Sequence, residues 1–583
     1  MTPENARDPG KGKALIQRIR PGAILPYGWI FVLLIAVLIS AQTAYRQSLN
    51  TEEYAYACDS FGYLRMAKEI RQSVPRREFP QFKLESSQTR LLIDFMRSRN
   101  VPLPLWEEVV APHAHHYFPE SNCVGVQYPP GTGLTLAMFP EGKAVYGLNR
   151  TVVLVLLLTG ICALAIAAWK QAWASAGLVA LAIHVGFTIL ARVGAVSFSI
   201  NSVLVPILLS TLLALVALRL RGGNRQRLAL LGGFGAGLLL GFATLVRLPT
   251  VFMTPGFLIL LWPKSWRVAV RSLPAVFVLG VVLTGIIPTL VYQQVIAGSW
   301  YLPTYGRIDA TLPTLDRVKH NFIYYFSSGF ATEDNWALVY ALVGFVGFAI
   351  LMRRMGRSEI SNRLGISCRR LGLAGLIAWL APTVFFLSHA VTGLHYSMPG
   401  IFGAVALVGL GALGIEATQT SYSHLRNRND LRWRLAFALI LLTGIATLNH
   451  IWRGRTTTPA PSQPIAHAPV VLPAELSDAR AWIWADVLTG TLWYYDKKPA
   501  FKIQFTDKET RAMIFRFVFE RGERQYLIQD SERMQPFIDE IIHLGGRLEP
   551  RGKIEDAPYF LVEWPQNGPG PVNVAVSTEP PIR

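Results

Sequence analysis

The chain has 583 residues, of which 51% are hydrophobic and only 16% are charged, and its mean hydropathy is +0.32. This composition excludes an ordinary soluble enzyme, because so much apolar surface must face lipid as well as any soluble core. The formal net charge of +19 does not indicate nucleic-acid binding, because the basic residues lie in short tracts between apolar runs, as the positive-inside rule predicts for a membrane protein.

The N-terminal region predicts a membrane anchor. Residues 1–23 form a polar, basic tail, and the apolar run that begins at residue 24 is long enough to cross a bilayer core of about 30 Å. The run resembles a signal peptide, but no clear cleavage site follows it and many more apolar runs do. We therefore interpret it as an uncleaved anchor with a cytoplasmic N-terminus.

The region 24–453 is predicted to be a transmembrane domain of about eleven helices, and it includes a large external loop at 45–147. After the first run, ten further apolar runs follow: 148–169, 173–191, 199–218, 228–246, 249–262, 272–296, 336–352, 371–390, 399–416 and 435–451. The predicted cytoplasmic tracts between them are strongly basic, for example "RLRGGNRQR" at 219–227, so charge and hydropathy predict the same orientation. The run at 249–262 is short for a span and begins at Pro249.

The C-terminal part of the chain has the composition of a small folded domain. A Pro-rich linker at 454–473 precedes a predicted external α/β domain at 474–583. In it, "ARAWIWADV", "QYLIQD" and "APYFLVEW" are typical of strands, and "ERMQPFIDEIIHLGG" is typical of an amphipathic helix. The predicted fold class is thus an all-α polytopic membrane domain with a small C-terminal extramembrane α/β domain.

Four cysteines exclude a disulfide scaffold and a metal site of the Cys-x-x-Cys type. Cys58 and Cys123 both lie in the loop at 45–147, where a disulfide between them is chemically allowed if the compartment is oxidising. Two unpaired thiols are an equally open reading.

Asp59 lies just after the first predicted span, in the stretch "YACDSFGYLRMAKEIRQ" at 56–72. An Asp ahead of a short amphipathic segment is typical of a helix N-cap, whose carboxylate accepts a backbone N–H bond worth about 1 kcal/mol. A carboxylate at the membrane surface, beside bases that could hold a phosphate, is also placed to act as a general base. The spacing alone favours the cap.

A second motif in the same loop is "QYPPGTGLTLAMFP" at 127–140. Its tandem prolines and its glycines predict a turn that leads into a helix on or partly in the membrane surface. Two surface elements would then flank one loop.

From these motifs onward, the chain resembles the multispanning GT-C glycosyltransferases, in particular the branch that contains protein O-mannosyltransferases and lipid A aminoarabinose transferases. The resembling segments occur in the family's order and cover most of the membrane region: "ACDSFGYLRMAKEI" (57–70), "YPPGTGLTLA" (128–137), the segment 230–261, whose Gly-rich span ends in Arg-x-Pro at 247–249, "VYQQVIAGSWYLPTYG" (291–306) and "HYSMPG" (395–400).

The resemblance implies an enzyme that passes a sugar from a polyprenyl-phosphate carrier to an acceptor hydroxyl on a lipid, glycan or protein, with Asp59 as the general base. The family often has Glu after this Asp, whereas Ser60 follows here. Asp59 is therefore the single best candidate for the base, and the case for a metal site made of two adjacent acids is weaker. The resemblance assigns no definite cofactor, and a divalent metal is possible. The implied partners are the lipid-linked donor, the acceptor and membrane lipids, in a bacterial inner membrane with the C-terminal domain on the periplasmic or extracellular side.

The leaving group of such a reaction is a lipid phosphate, whose charge a bidentate Arg would stabilise. Arg247, at the predicted outer end of a span, is the first candidate, with ordinary snorkelling to the interface as the alternative. Arg65 and Lys68 are the next candidates, and a solvated helix face is the alternative for them.

Further substrate-binding candidates are Tyr128, Tyr305, Arg307, His395 and Tyr396, although loop polarity alone also explains the loop residues. The histidines of "HAHHY" at 113–117 have metal-ligand chemistry, but no second ligand set is identifiable, so we interpret this stretch as a surface loop and assign no metal ligand.

A transporter or flippase of lipid-linked saccharides is the main alternative function. Such proteins bury polar groups near mid-membrane, whereas the candidate ionisable groups here cluster at one face, with His184 as the main exception. A non-catalytic membrane scaffold that displays the C-terminal domain is a third alternative.

Overall fold

The computed structural model describes residues 21–49, 53–55, 58–170, 172–193, 198–222, 225–263, 272–305, 314–324, 342, 344–346, 348–349, 366–389, 396–418 and 472–570. The predicted span at 435–451, most of the predicted span at 336–352 and most of the linker at 454–473 lie outside these residues.

The first helix is followed by a folded segment that covers most of the predicted external loop. Its elements are α1 (Pro21–Leu49), α2 (Asp59–Arg76), β1 (Lys83–Leu84), α3 (Ser87–Ser98), β2 (His115–Phe118), β3 (Cys123–Val126) and α4 (Gly131–Ala137). The three strands form an antiparallel sheet in the order β1-β3-β2. Helix α2 is amphipathic and buries Phe61, Leu64 and Met66. The loop therefore has its own secondary structure, as its length suggested.

The helices of the membrane region come next. They are α5 (Ala144–Lys170), α6 (Trp173–Val193), α7 (Phe198–Gly222), α8 (Gln226–Val246), α9 (Thr254–Leu261), α10 (Leu273–Ala297), α11 (Leu315–Ile323), α12 (Cys368–Leu387) and α13 (Met398–Thr418). A 3-10 turn, Leu248–Met253, joins α8 to α9, and α10 contains a π-helical turn at Val282–Ile286.

Seven of the described helices are long and apolar enough to cross a membrane, namely α1, α5, α7, α8, α10, α12 and α13. The chain is an integral membrane protein. The predicted count of about eleven spans is not confirmed, because the apolar parts of α6 and of the segment Leu248–Leu261 are shorter than a span. In that segment the backbone leaves the helix at Arg247, and Pro249 and Pro255 each begin a new short helix.

The Gly-rich sequence of α8 lets this helix pack closely against α10. A Cβ at Gly237 would collide with the backbone carbonyl of Phe277, and a Cβ at Gly241 would collide with Thr284 and with the backbone of Val281. Small residues at such contacts let two helix backbones approach within a membrane. The close packing holds the C-terminal end of α8, where Arg247 follows.

The C-terminal unit contains α14 (Ala474–Ser477), β4 (Ala481–Trp484), α15 (Thr489–Asp496), α16 (Lys508–Glu520), β5 (Arg524–Ile528), α17 (Gln535–His543), β6 (Arg547–Ile554) and β7 (Ala557–Glu563). Its sheet has the order β4-β5-β7-β6, with β4 parallel to β5 and the other pairs antiparallel. The three predicted strands and the predicted helix are β4, β5, β7 and α17. Strand β6 was not predicted, because it contains Pro550 and many charged residues, which are not typical of a strand.

The C-terminal unit packs against the folded loop. Gln88 donates hydrogen bonds to the backbone carbonyls of Ala479 and Ala481 at 3.1 and 3.0 Å, and Thr491 Oγ1 donates to the carbonyl of Ala55 at 2.8 Å. Gly490 lies so close to Phe61 of α2 that a Cβ there would collide with the ring. The unit thus contacts the helix that begins with Asp59.

Candidate functional site

Asp59 is the first residue of α2, and its carboxylate accepts a hydrogen bond from Tyr128 Oη at 2.5 Å. The N-cap interpretation is wrong. Cys58 occupies the cap position and makes no side-chain cap bond. A carboxylate in the first turn is still favoured by the positive end of the helix dipole.

Tyr128 is placed by the "YPPGTG" motif. A Cβ at Gly131 would collide with the backbone of Leu245 and Val246 at the end of α8, and a Cβ at Gly133 would collide with Met66 of α2. The motif is therefore wedged between the helix that carries Asp59 and the helix that precedes Arg247. The Tyr128 ring is buried, and burial and the Asp59 charge raise the pKa of its hydroxyl well above the ordinary value. Tyr128 thus stays protonated and donates to the carboxylate.

Arg247 is buried at the end of α8 and does not snorkel to an exposed position, since its relative exposure is 8%. Its Nη1 donates to Ser199 Oγ at 3.0 Å, and its guanidinium lies 5.0 Å from the ring centre of Tyr396 and 5.9 Å from that of Phe386. Its Nε is buried and has no hydrogen-bond partner within the described part of the chain. A buried cation with an unused donor can bind an anion.

Tyr63 connects the two charged groups. Its ring stacks on Tyr128 with 4.4 Å between ring centres, and its hydroxyl lies near Ser199, the serine that binds Arg247. Burial, and then the Asp59 charge, raise the pKa of Tyr63 well above its ordinary value, while Ser199 and Arg247 oppose the rise. The charges of both Asp59 and Arg247 therefore act on the Tyr63 hydroxyl.

Neither Tyr63 nor Ser199 was predicted from the sequence as a site residue. Tyr63 lies four residues after Asp59 and hence on the same face of α2, so helical spacing could have found it. Ser199 lies in the first turn of an apolar helix, where no local signal distinguishes it.

The remaining substrate-binding candidates divide into two groups. The ring of Tyr305 packs edge-on against that of Tyr128, with 6.1 Å between ring centres, and the neighbouring Thr304 Oγ1 donates a hydrogen bond to the carbonyl of Gln127 at 2.7 Å. Tyr396 covers the Arg247 guanidinium. Arg307 and His395 lie outside the described residues.

Arg65 lies on α2 but binds protein groups. Its guanidinium donates to the carbonyls of Gln81, Phe82 and Lys83, at 3.2, 3.3 and 2.9 Å, and to His115 Nε2 at 2.8 Å. Burial lowers the pKa of Arg65 to about 10, so it stays charged at neutral pH. These contacts join α2 to β1 and the residues just before it, and they occupy both Nη nitrogens, which leaves only Nε without a hydrogen-bond partner among the described residues.

Lys68 is partly exposed and has partners of its own. It pairs with Glu141 at 3.6 Å, and its ammonium lies 4.8 Å from the ring centre of Tyr494 in the C-terminal unit. In this conformation, Lys68 links α2 to two neighbouring segments.

The disulfide between Cys58 and Cys123 is not formed, and all four cysteines are free. Cys58 Sγ lies 3.0 Å from Tyr128 Oη, whereas Cys123 Sγ lies 3.3 Å from the carbonyl of Ile296, at the end of α10. The two thiols thus have separate partners. Burial raises the pKa of the Cys58 thiol to about 11, and the adjacent Asp59 charge adds to the rise.

The interpretation of "HAHHY" as a surface loop is wrong. His115 is fully buried in β2, and its neighbours His113 and His116 bind Asp486 at 3.1 Å and Glu108 at 2.9 Å, respectively. The three rings have different partners, and two of these contacts lie at or beside the C-terminal unit. Within the described ranges, no group of three or more His, Cys, Asp or Glu side chains is placed to hold a metal ion.

Comparison with solved structures found similar proteins. The chain is similar to ArnT from Cupriavidus metallidurans in the apo state (13% identity, 92% of this chain and 98% of that chain, TM-score 0.46) and to the same protein bound to undecaprenyl phosphate (13%, 92% and 98%, TM-score 0.41). It is also similar to the archaeal oligosaccharyltransferase AglB from Archaeoglobus fulgidus in complex with an inhibitory peptide and a dolichol-phosphate (12%, 93% and 75%, TM-score 0.40).

ArnT is a lipid A aminoarabinose transferase, and both ArnT and AglB are GT-C proteins, the superfamily that the sequence motifs resemble. No protein-family model matches the sequence, and no curated protein matches it. With TM-scores below 0.5, these likenesses by themselves assign no activity to the chain.

Proposed function

We propose that the protein is a glycosyltransferase that moves a sugar from a polyprenyl-phosphate-linked donor to an acceptor hydroxyl at the external face of the membrane. Asp59 is the general base, and Arg247 stabilises the phosphate that leaves. The proposal includes the orientation predicted from charge, with the N-terminus cytoplasmic and the C-terminal unit on the periplasmic or extracellular side of a bacterial inner membrane.

One observation carries this proposal: a carboxylate and a buried arginine, whose Nε has no hydrogen-bond partner among the described residues, converge on the same pair of stacked tyrosines. Tyr128 binds Asp59, Tyr63 is linked to Arg247 through Ser199, and the rings of Tyr128 and Tyr63 stack. The two groups come from segments almost two hundred residues apart in the sequence. A base and an anion-binding group so close together suit a displacement in which a proton leaves one reactant and negative charge develops on the other.

The reaction that these residues support is a single displacement. The acceptor oxygen forms a bond to the anomeric carbon of the sugar, and Asp59 takes the proton of the acceptor hydroxyl. The bond between the anomeric carbon and the phosphate oxygen breaks, and its electron pair stays with the polyprenyl phosphate. Arg247 stabilises the additional charge on that phosphate, so a strong general acid is not required. Attack from the opposite side inverts the anomeric centre.

The other candidate residues have narrower roles in this proposal. Tyr128, Tyr305 and Tyr396 offer aromatic surface and hydroxyl groups between Asp59 and Arg247, which suits contact with a sugar or its phosphate. Arg307 and His395, which lie outside the described residues, are proposed to contact substrate. Arg65 and Lys68 are proposed to act indirectly, by holding α2 in its position.

The decisive variant is Asp59→Asn. An Asn side chain still offers a carbonyl oxygen to Tyr128 Oη, so the fold should be kept, but the amide cannot take the proton. We expect release of polyprenyl phosphate from polyprenyl-phosphate sugars to fall by about a hundredfold or more, with the melting temperature near that of the wild type. The assay is mass spectrometry on detergent-solubilised protein.

The matched control is Asp94→Asn, the same substitution at an exposed position of α3, which should change neither quantity. Full activity of the Asp59→Asn variant would contradict the base assignment, and a large loss of thermal stability would favour a structural role. Because a flippase moves its lipid without cleaving it, absence of released polyprenyl phosphate from the wild type would favour the transporter alternative.

A further inference from the structure

The guanidinium of Arg247 is restrained on two sides. The rings of Tyr396 and Phe386 lie 5.0 and 5.9 Å from it and limit the tilt of its plane. Within that plane, the hydrogen bond from Nη1 to Ser199 Oγ, at 3.0 Å, limits its rotation. Both partners of this bond are buried, with exposures of 8% for Arg247 and 1% for Ser199. The Nε of the guanidinium is left without a hydrogen-bond partner within the described residues.

Ser199 also has a second partner in the site. Its hydroxyl lies near that of Tyr63, whose ring stacks on Tyr128, and Tyr128 Oη binds Asp59 at 2.5 Å. A continuous series of buried contacts therefore runs from the guanidinium to the carboxylate. Ser199 is the member of the series that touches both the cation and the aromatic pair.

We infer that Ser199 and Tyr63 are positioning residues of the transferase: Ser199 orients the Arg247 guanidinium so that its Nε edge meets the donor phosphate, and Tyr63 couples this orientation to the position of Asp59. The inference rests on the proposed function. It assigns no chemical step to either hydroxyl.

The physical reason lies in the geometry of phosphate binding. A guanidinium binds two phosphate oxygens only when one edge faces them, and a side chain held in that orientation loses less conformational entropy on binding. Removing Ser199 Oγ would free the rotation of the guanidinium and leave a buried N–H without its acceptor. The loss should therefore appear first in the affinity for the phosphate.

The first test measures binding and needs no transfer. Binding of undecaprenyl phosphate to the purified protein in nanodiscs is compared with binding of undecaprenol, which lacks the phosphate. We expect Ser199→Ala to weaken binding of the phosphate about tenfold, as loss of a charge-assisted hydrogen bond implies, and to leave binding of undecaprenol unchanged.

Two further variants frame this result. Ser202→Ala removes a buried hydroxyl from the same helix, but that hydroxyl bonds the carbonyl of Phe198 in its own helix at 2.8 Å, so binding should stay at the wild-type value. Ser199→Thr keeps a hydroxyl at the site and should restore most of the affinity, which a merely steric role of Ser199 would not predict.

The second test uses steady-state transfer. Ser199→Ala should raise the donor KM about tenfold with a smaller change in kcat, and Tyr63→Phe should lower kcat as well, because it acts on both ends of the series. In the double variant the two effects should be non-additive, since the two hydroxyls are neighbours in one series of buried contacts. Tyr292→Phe, which removes a buried hydroxyl bonded to the carbonyl of Val126, is the matched control.

The outcomes separate the two proposals. A wild-type protein that does not distinguish undecaprenyl phosphate from undecaprenol would overturn the proposed function and the inference with it. A wild type that binds the phosphate, with Ser199→Ala binding it as tightly as Ser202→Ala does, would overturn the inference alone.

Discussion

At the residue scale, Arg65 and Arg247 show how two buried arginines in one site differ in their partners. Both Nη nitrogens of Arg65 are engaged, by three backbone carbonyls and His115, whereas Arg247 donates from Nη1 to Ser199 and lies against two aromatic rings. Among the described residues, the buried Nε of each arginine has no hydrogen-bond partner. Burial and the Arg65 charge lower the pKa of His115 well below its ordinary value, which suits a neutral ring that accepts the bond from Arg65. The contacts of Arg65 are those of a structural residue.

Arg65→Lys tests this assignment. A lysine cannot satisfy three carbonyls and an imidazole in the geometry of a planar guanidinium, so we expect a loss of stability on the order of 3 kcal/mol. Thermal unfolding in detergent measures it, and Arg97→Lys on the partly exposed α3 serves as the control. Unchanged stability together with a raised donor KM would instead support the phosphate-binding role that the sequence suggested.

At the element scale, the site depends on the junction between α4, α2 and the end of α8. Gly131 and Gly133 let α4 approach both helices, and Thr132 Oγ1 donates to the carbonyl of Val246 at 3.4 Å. The residue after that carbonyl is Arg247, so the position of the "YPPGTG" motif determines where the guanidinium lies relative to Tyr128.

Gly131→Ala should disturb this junction. The added methyl would collide with the backbone of Leu245 and Val246, which cannot move as an isolated side chain can, so we expect a loss of about 1–3 kcal/mol and weaker binding of undecaprenyl phosphate. Gly28→Ala in α1 is the matched control, because no atom lies within 4 Å of a Cβ at that position. Equal stability and binding for the two variants would mean that the junction is not rigid.

At the scale of the whole molecule, buried polar pairs fasten the C-terminal unit to the folded loop. Lys502 Nζ lies 3.1 Å from Glu108, which also binds His116, and the side chain of Lys502 is only 4% exposed. Burial pushes the pKa of Glu108 up, but Lys502 and His116 outweigh it and hold the pKa well below the ordinary value. The pKa of Glu108 is lower in the folded state than in the unfolded state. The stability that the pair contributes is therefore present at a pH above the ordinary carboxyl pKa, and it is lost as the pH falls below that value.

Lys502→Met should loosen the docking of the C-terminal unit. It removes the cation from a buried pair and leaves Glu108 with His116 alone, so we expect a destabilisation of about 3 kcal/mol. Hydrogen exchange should then increase on both sides of the interface. The control is Lys508→Met, the same substitution at an exposed lysine of the same unit, and identical exchange in the two variants would contradict a fastening role for Lys502.

The sequence by itself determined the features that depend on composition and short-range pattern. Apolar runs predicted the described spans, and alternating or helical spacing predicted β4, β5, β7 and α17, because lipid-facing helices and core-facing strands must bury apolar side chains at a regular period. Short motifs at predicted span ends also selected the residues that the site brings together, namely Asp59, Arg247, Tyr128, Tyr305 and Tyr396.

Only the tertiary structure decided which of the candidate residues meet and what they bind. Arg65 and Arg247 are alike in the sequence, and their different partners come from β1 and from α7, which no local pattern connects with them. Ser199 has the same neighbours as many serines in apolar helices, and it is distinguished only by the approach of Arg247 and Tyr63. Hydrogen bonds act over about 3 Å, whereas sequence periodicity reports which face is buried and not against which group.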